Sequence, residues 1–233
     1  MRHGANFMVA RKALLPVLAA IAIAAMLFVP PIHQDAGYHD FADQRTIFGV
    51  PNFWNVVSNL PFLAVALWGW RRSGCAEDRI FLFGVAAVTF GSAYYHAWPT
   101  SATLFWDRLP MTVAFMALFA TIIGERVDKR AGRWLLLPLL CAGAASVIWW
   151  RFTDDLRWYA PVQFFPMLAM MLLLRGRRDP LIPMMFFYAL AKLLEWQDHA
   201  IAAVISTGGH PWKHVAAALA VFCYVRLWYS VKK

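Results

Sequence analysis

Ten side chains able to ionise or to donate a hydrogen bond stand inside or at the ends of long apolar runs in this chain: Ser92, His96, Asp107, Arg108, Lys192, Glu195, Asp198, His199, His210 and His214. In hydrocarbon each would cost a few kcal/mol or more, so they are the first candidates for function. Two pairs share a spacing. Ser92 with His96, and His210 with His214, are four residues apart, which puts each pair on one face of a helix. Two imidazoles one turn apart can chelate a single metal ion, as in the H-E-x-x-H proteases. Here the position after the first His is Pro211, so a zincin is excluded and any general base must come from another helix. Taken alone, His96 reads equally as an interfacial hydrogen-bonding residue. Glu195 and His199, with Lys192 and Asp198 nearby, read as an ion-pair network within a bundle or, more sharply, as contacts to a substrate headgroup. Asn55, Ser58 and Asn59 read as hydrogen-bonding groups between helices.

The composition says what must carry these residues. Of 233 residues, 61% are hydrophobic and only 15% charged, which places the chain in the membrane class and excludes a disordered chain, a disulfide scaffold and a coiled coil. Cys75, Cys141 and Cys223 are far apart and form no C-x-x-C. The net charge of +9 comes from short basic clusters between apolar runs, a pattern of membrane loops, so nucleic acid is not an expected partner. Eight runs are long enough to span, at about 13–30, 52–70, 80–98, 103–124, 134–150, 159–174, 181–205 and 211–229. The first also reads as a signal sequence, although no small-x-small cleavage site lies near Pro30-Pro31. The expected fold is all-α: a polytopic membrane helix bundle with one additional amino-terminal helix.

Eight spans sort the basic residues unevenly. Fifteen fall on the side of the termini, including Arg71, Arg72, Arg126, Lys129, Arg175, Arg177, Arg178, Lys232 and Lys233. Five fall on the other side: Arg45, Arg108, Arg151, Arg157 and Lys213. Basic residues are retained in the cytoplasm, so both termini are expected there. The third span then ends outward at His96, the fourth runs back from about Thr103 with Asp107 one turn in, and the eighth starts at His210. All four groups should therefore share one outer depth. Three neutral imidazoles and a water make an open zinc sphere of the catalytic type, with Asp107 placed to bind the water or take its proton.

At these residues the chain resembles the alkaline ceramidase family, within the wider superfamily of intramembrane metallohydrolases that includes the adiponectin and progestin receptors. The matching pieces are Asn55 to Phe62 (NVVSNLPF), Gly91-Ser92-Ala93-Tyr94-Tyr95-His96, Asp107-Arg108-Leu109-Pro110-Met111 and His210-Pro211-Trp212-Lys213-His214. The resemblance implies a seven-helix, ceramidase-like catalytic domain over 52–233. Residues 1–51 would then be the amino-terminal helix, or signal anchor, and an outer loop. It implies zinc held by His96, His210 and His214, with Ser92 and Asp107 as catalytic residues. Eukaryotic members of the family it resembles also bind calcium through an acidic, Trp-containing amino-terminal segment and a Glu just before the first core helix. The comparable stretch here offers only Asp40 and Asp43, and Asn52 stands where the family places a Glu.

The expected activity is zinc-dependent hydrolysis of the amide of ceramide or a related N-acyl lipid, releasing a fatty acid and an amine. The expected setting is a bacterial inner membrane, with the zinc in the outer, periplasmic half. The rival reading is a receptor-like or structural zinc protein in which the metal ties helices together without turnover. A transporter would need broken spans at repeated positions, and no such symmetry is visible in the sequence.

Overall fold

The computed structural model describes residues 2–177 and 179–231, with side chains from Ala13 to Leu227 apart from Arg178. Arg178, Lys232 and Lys233, which enter the basic-residue count, lie outside the described residues. Within them there is no strand, and the helices are α1 (Arg2–Phe28), α2 (Phe53–Val57), α3 (Leu60–Trp70), α4 (Ala76–Ala97), α5 (Ser101–Arg126), α6 (Lys129–Thr153), α7 (Tyr159–Leu172), α8 (Leu181–Trp196), α9 (Asp198–Ala202) and α10 (His210–Val231). Three of these, α4, α5 and α6, are each long and apolar enough to cross a membrane. Phe90, Trp106, Trp134, Leu137 and Phe186 point outward and are exposed. An apolar exterior of this kind fits a helical membrane bundle, with backbone polar groups satisfied inside each helix.

Two expected spans are broken rather than continuous. The 52–70 run divides at Ser58 and Asn59. The Asn59 amide donates to the carbonyls of Asn55 and Val56 at 2.8 and 3.2 Å, and the Ser58 hydroxyl to that of Asn55 at 3.1 Å. Side chains thus take acceptors that the helix would have used, and Pro61 restarts it as α3. The 181–205 run breaks at Gln197. Beyond the break, Asp198 accepts the His210 backbone N–H at 2.8 Å and that of Ala42 at 3.0 Å. Gly208, at φ +70°, presses against the Asp198 carboxylate, where any Cβ would collide. Asp198 therefore holds the start of α10 in place and is not a member of a charge network.

Small residues bring α4 and α5 together. A Cβ at Gly84 would lie 2.6 Å from the Ala114 backbone nitrogen, and one at Gly91 would overlap the Trp106 carbonyl. That carbonyl is the one whose helical donor is missing because Pro110 has no N–H. The close approach sets the last turns of α4, with Ser92 and His96, against the first turns of α5, with Asp107. α5 also packs on α6, and α8 on α10, while α1 lies at the periphery against α7. The segment between α1 and α2 folds back over the bundle: Phe41 is buried in a cluster with Tyr95, Leu104, Val147, Trp150 and Tyr159. It is anchored by Asp155, which accepts from the Ile32 N–H and from Arg157. Hydrogen bonding by Arg157 and neighbouring backbone lowers the Asp155 carboxyl to about 2, against the opposing effect of burial.

Candidate metal centre

Each imidazole sits at the end of an element with a reason to stop there. His96 is in the last turn of α4, and its carbonyl accepts from the Asn52 amide at 2.8 Å. His210 opens α10 with Pro211 in the first turn, and His214 follows one turn on. All three are buried, and one ring nitrogen from each lies within 4.8 Å of the others. Among the described residues this is the one cluster of three or more His, Cys, Asp and Glu side chains able to hold a metal ion.

The hydrogen bonds around the cluster favour a cation. The Ser58 hydroxyl donates to the Asn55 carbonyl and so accepts from His214 Nδ1–H at 2.8 Å, leaving the lone pair of His214 on Nε2. That atom faces His96 Nε2 at 3.2 Å, close to the edge of about 3.3 Å for a tetrahedron with metal–nitrogen bonds of about 2.05 Å. His210 Nε2 is buried with no hydrogen-bond partner. Orphaned buried nitrogens are expensive unless something binds them, and a shared cation would. Phe41 covers the cluster from the loop, its ring centroid 4.8 Å from that of His96 and 4.5 Å from that of His210.

Asp107 is buried and lines one cavity with Ser92 and His214. No ion pair joins Asp107 to its neighbour Arg108, whose Nη2 donates to Gln34 Oε1 at 2.7 Å. That cavity, of ≈ 170 Å³, continues between α4, α5, α7, α8 and α10 along Val85, Phe115, Met167 and Met184. The site therefore joins a metal-ligand cluster, a carboxylate and a hydroxyl to a mostly apolar cavity.

The remaining expected site residues separate. Glu195 lines the cavity and is tied to Lys192 at 2.7 Å, Lys213 at 2.6 Å and the Tyr38 hydroxyl at 3.2 Å. His199 is on α9, mostly exposed, and pairs with the Asp40 carbonyl at 3.1 Å; it does not line that cavity. Asp40 points to solvent and is bonded to Gln44, whereas Asp43 is buried and ion-paired to Arg45. The two carboxylates do not converge on a second site. Arg108 and Lys213, assigned by the charge count to the outer side and by the span bounds to the fourth and eighth runs, are on α5 and α10 and line the cavity. Ser58 as the partner of His214, Phe41 as the cover and Lys213 as the partner of Glu195 carry no spacing signal in the sequence. Pro211 alone hints that Lys213 belongs to a helix's first turn.

The family model described as Ceramidase matches residues 46–178. No curated protein and no solved structure matches the chain. The matched segment carries Ser92, His96 and Asp107 and ends before His210 and His214, which the fold returns to the same point. With more than half of its length matched, the chain belongs to the ceramidase family, a family of lipid amidohydrolases.

Proposed function

We propose that this protein is a zinc-dependent intramembrane amidohydrolase that cleaves ceramide or a related N-acyl lipid into a fatty acid and an amine. The observation that carries this reading is the junction of His96, His210 and His214 with Asp107 and Ser92 at the head of an apolar cavity. Zinc held by the three imidazoles supplies Lewis acidity, polarising the amide carbonyl and acidifying water. Asp107 takes the proton of the attacking water on its carboxylate and returns it to the departing nitrogen. Ser92, which lines the same cavity, offers its hydroxyl to the oxygen that gains charge. Phe41 and the loop that carries it exclude bulk water, and the apolar walls of the cavity receive the acyl chain.

Residues 52–233 form the catalytic unit in this reading, with 1–51 adding the peripheral helix and the covering loop. The purified full-length protein is expected to contain one zinc per chain and to release fatty acid from ceramide, with both lost in His210→Ala/His214→Ala and activity lost on chelation. Zinc without turnover of any N-acyl lipid would instead favour a structural or receptor-like role. The basic-residue asymmetry favours cytoplasmic termini and a site in the outer half of the membrane, periplasmic in a bacterium. With the natural cysteines replaced, Ser206→Cys should react with hydrophilic thiol reagents on intact cells and Arg130→Cys only after lysis. The reverse pattern would invert this topology.

A further inference from the structure

Three buried or half-buried cations and two carboxylates line the cavity: Arg108, Lys192 and Lys213 against Asp107 and Glu195. Glu195 accounts for both lysines, through Oε2 to Lys192 and Oε1 to Lys213. Arg108 is left over. The residue is buried, 6% exposed, and no carboxylate of the described residues lies within the 4.0 Å of an ion pair. Nη2 donates to the Gln34 amide oxygen, while Nη1 is buried with no hydrogen-bond partner. The guanidinium is held in place by aromatic rings, 4.3 Å from the centroid of Trp150, 4.9 Å from Tyr159 and 5.5 Å from Tyr38. The Trp150 indole N–H is a second buried donor without an acceptor.

Cation–π contacts offset part of the cost of burying this charge but satisfy none of its N–H groups. The other buried arginine shows the contrast, since Arg126 meets both oxygens of Asp179. A rigidly caged guanidinium with a free N–H fits a planar oxyanion, which it can engage through two donors. Because Arg108 immediately follows Asp107 and lines the same cavity, that oxyanion would belong to a molecule whose amide is at the reaction centre.

We propose that Arg108 is a specificity-determining residue that binds a carboxylate on the polar headgroup of the substrate, so that N-acyl amino acids are preferred over N-acyl lipids with neutral headgroups. The proposal rests on the amidohydrolase reading for its substrate and on the Arg108 geometry for its selectivity. Sites built to satisfy a buried polar group discriminate strongly against ligands that lack the partner.

The test compares N-palmitoylglycine with N-palmitoylglycinamide on the zinc-loaded full-length protein. kcat/KM is expected to favour the acid at least tenfold, mainly through KM. In Arg108→Gln the ratio should fall to near one, and in Arg108→Lys to an intermediate value. Binding is followed separately by calorimetry with N-(pentadecylsulfonyl)glycine and its primary amide, which have the same alkyl chain and headgroup but resist hydrolysis. The wild type should bind the acid at least tenfold more tightly than the amide. These binding arms need no turnover, so a failed amidohydrolase reading and a failed Arg108 assignment give different results. Palmitate against palmitamide distinguishes the other source of a carboxylate, the released fatty acid. Equal binding of the sulfonyl pair by the wild type, a preference that survives Arg108→Gln, or an Arg108-dependent preference confined to palmitate would each overturn the proposal. The wild-type comparison decides it even if Arg108→Gln fails to fold.

Discussion

At one end of α5, Arg126 and Asp179 are buried together. Both carboxylate oxygens of Asp179 are taken by Arg126, at 2.6 and 2.9 Å, and the same carboxylate accepts backbone N–H groups from Arg175 and Leu181. Burial is the largest single influence and alone would raise the Asp179 carboxyl, but the Arg126 hydrogen bonds, the backbone N–H groups of Leu181 and Arg175 and the Arg126 charge together outweigh it and hold it below the ordinary carboxylate range. At the other end of α5, Asp107 shares a cavity with Ser92 and His214, and His210 Nε2 and Arg108 Nη1 are buried with no partner. The two ends bury similar groups with opposite outcomes. The first pairs its charge with a carboxylate of the chain and links α5 to the α7–α8 connection, as a structural ion pair does. The second has donors and acceptors waiting for something that is not part of the chain, which is the mark of a binding site.

The comparison can be broken most severely at the open end. Asp107→Asn keeps the shape of the side chain and its hydrogen-bonding capacity but cannot accept a proton, so hydrolysis should fall by roughly 10²- to 10⁴-fold with zinc content unchanged. Turnover near the wild-type rate would remove Asp107 as the base. Ser58→Ala leaves the three ligands intact and removes the group that fixes the His214 tautomer; zinc affinity should weaken by about 10- to 100-fold in competition with a chromophoric chelator. An unchanged affinity would mean that His214 needs no such partner. At the Arg126 end, Asp179→Ala strands the Arg126 charge and should destabilise the bundle by about 3–5 kcal/mol. Activity per folded molecule should change least of all these quantities. A loss of specific activity there as large as at Asp107 would erase the distinction between the two ends.

Much of the site was legible in the sequence because its geometry is partly local. Four-residue spacing fixes a shared helix face whatever the surroundings, so Ser92 with His96 and His210 with His214 could be paired before any fold was known. The alternation of long apolar runs and breaks then put His96, Asp107 and His210 at one end. The expected spans already contained Arg108 and Lys213, but counting charges near span ends could not tell that both side chains line an internal cavity. Asp40 and Asp43 are close in sequence, yet one faces water and the other Arg45, since a segment without regular structure gives spacing no directional meaning.

The amino-acid sequence by itself determined the membrane class, the helical runs and the identity of the metal-ligating and acid–base candidates, because hydropathy and helical periodicity act within a single element. Only the tertiary structure decided that α2 and α3 part at Ser58 to orient His214, that Phe41 covers the imidazoles, and that Glu195 satisfies two lysines while Arg108 has no carboxylate. Those outcomes depend on which groups from distant parts of the chain occupy the same few ångströms. In a low-dielectric interior, it is that occupancy that decides whether a charge is neutralised within the fold or left available to a ligand.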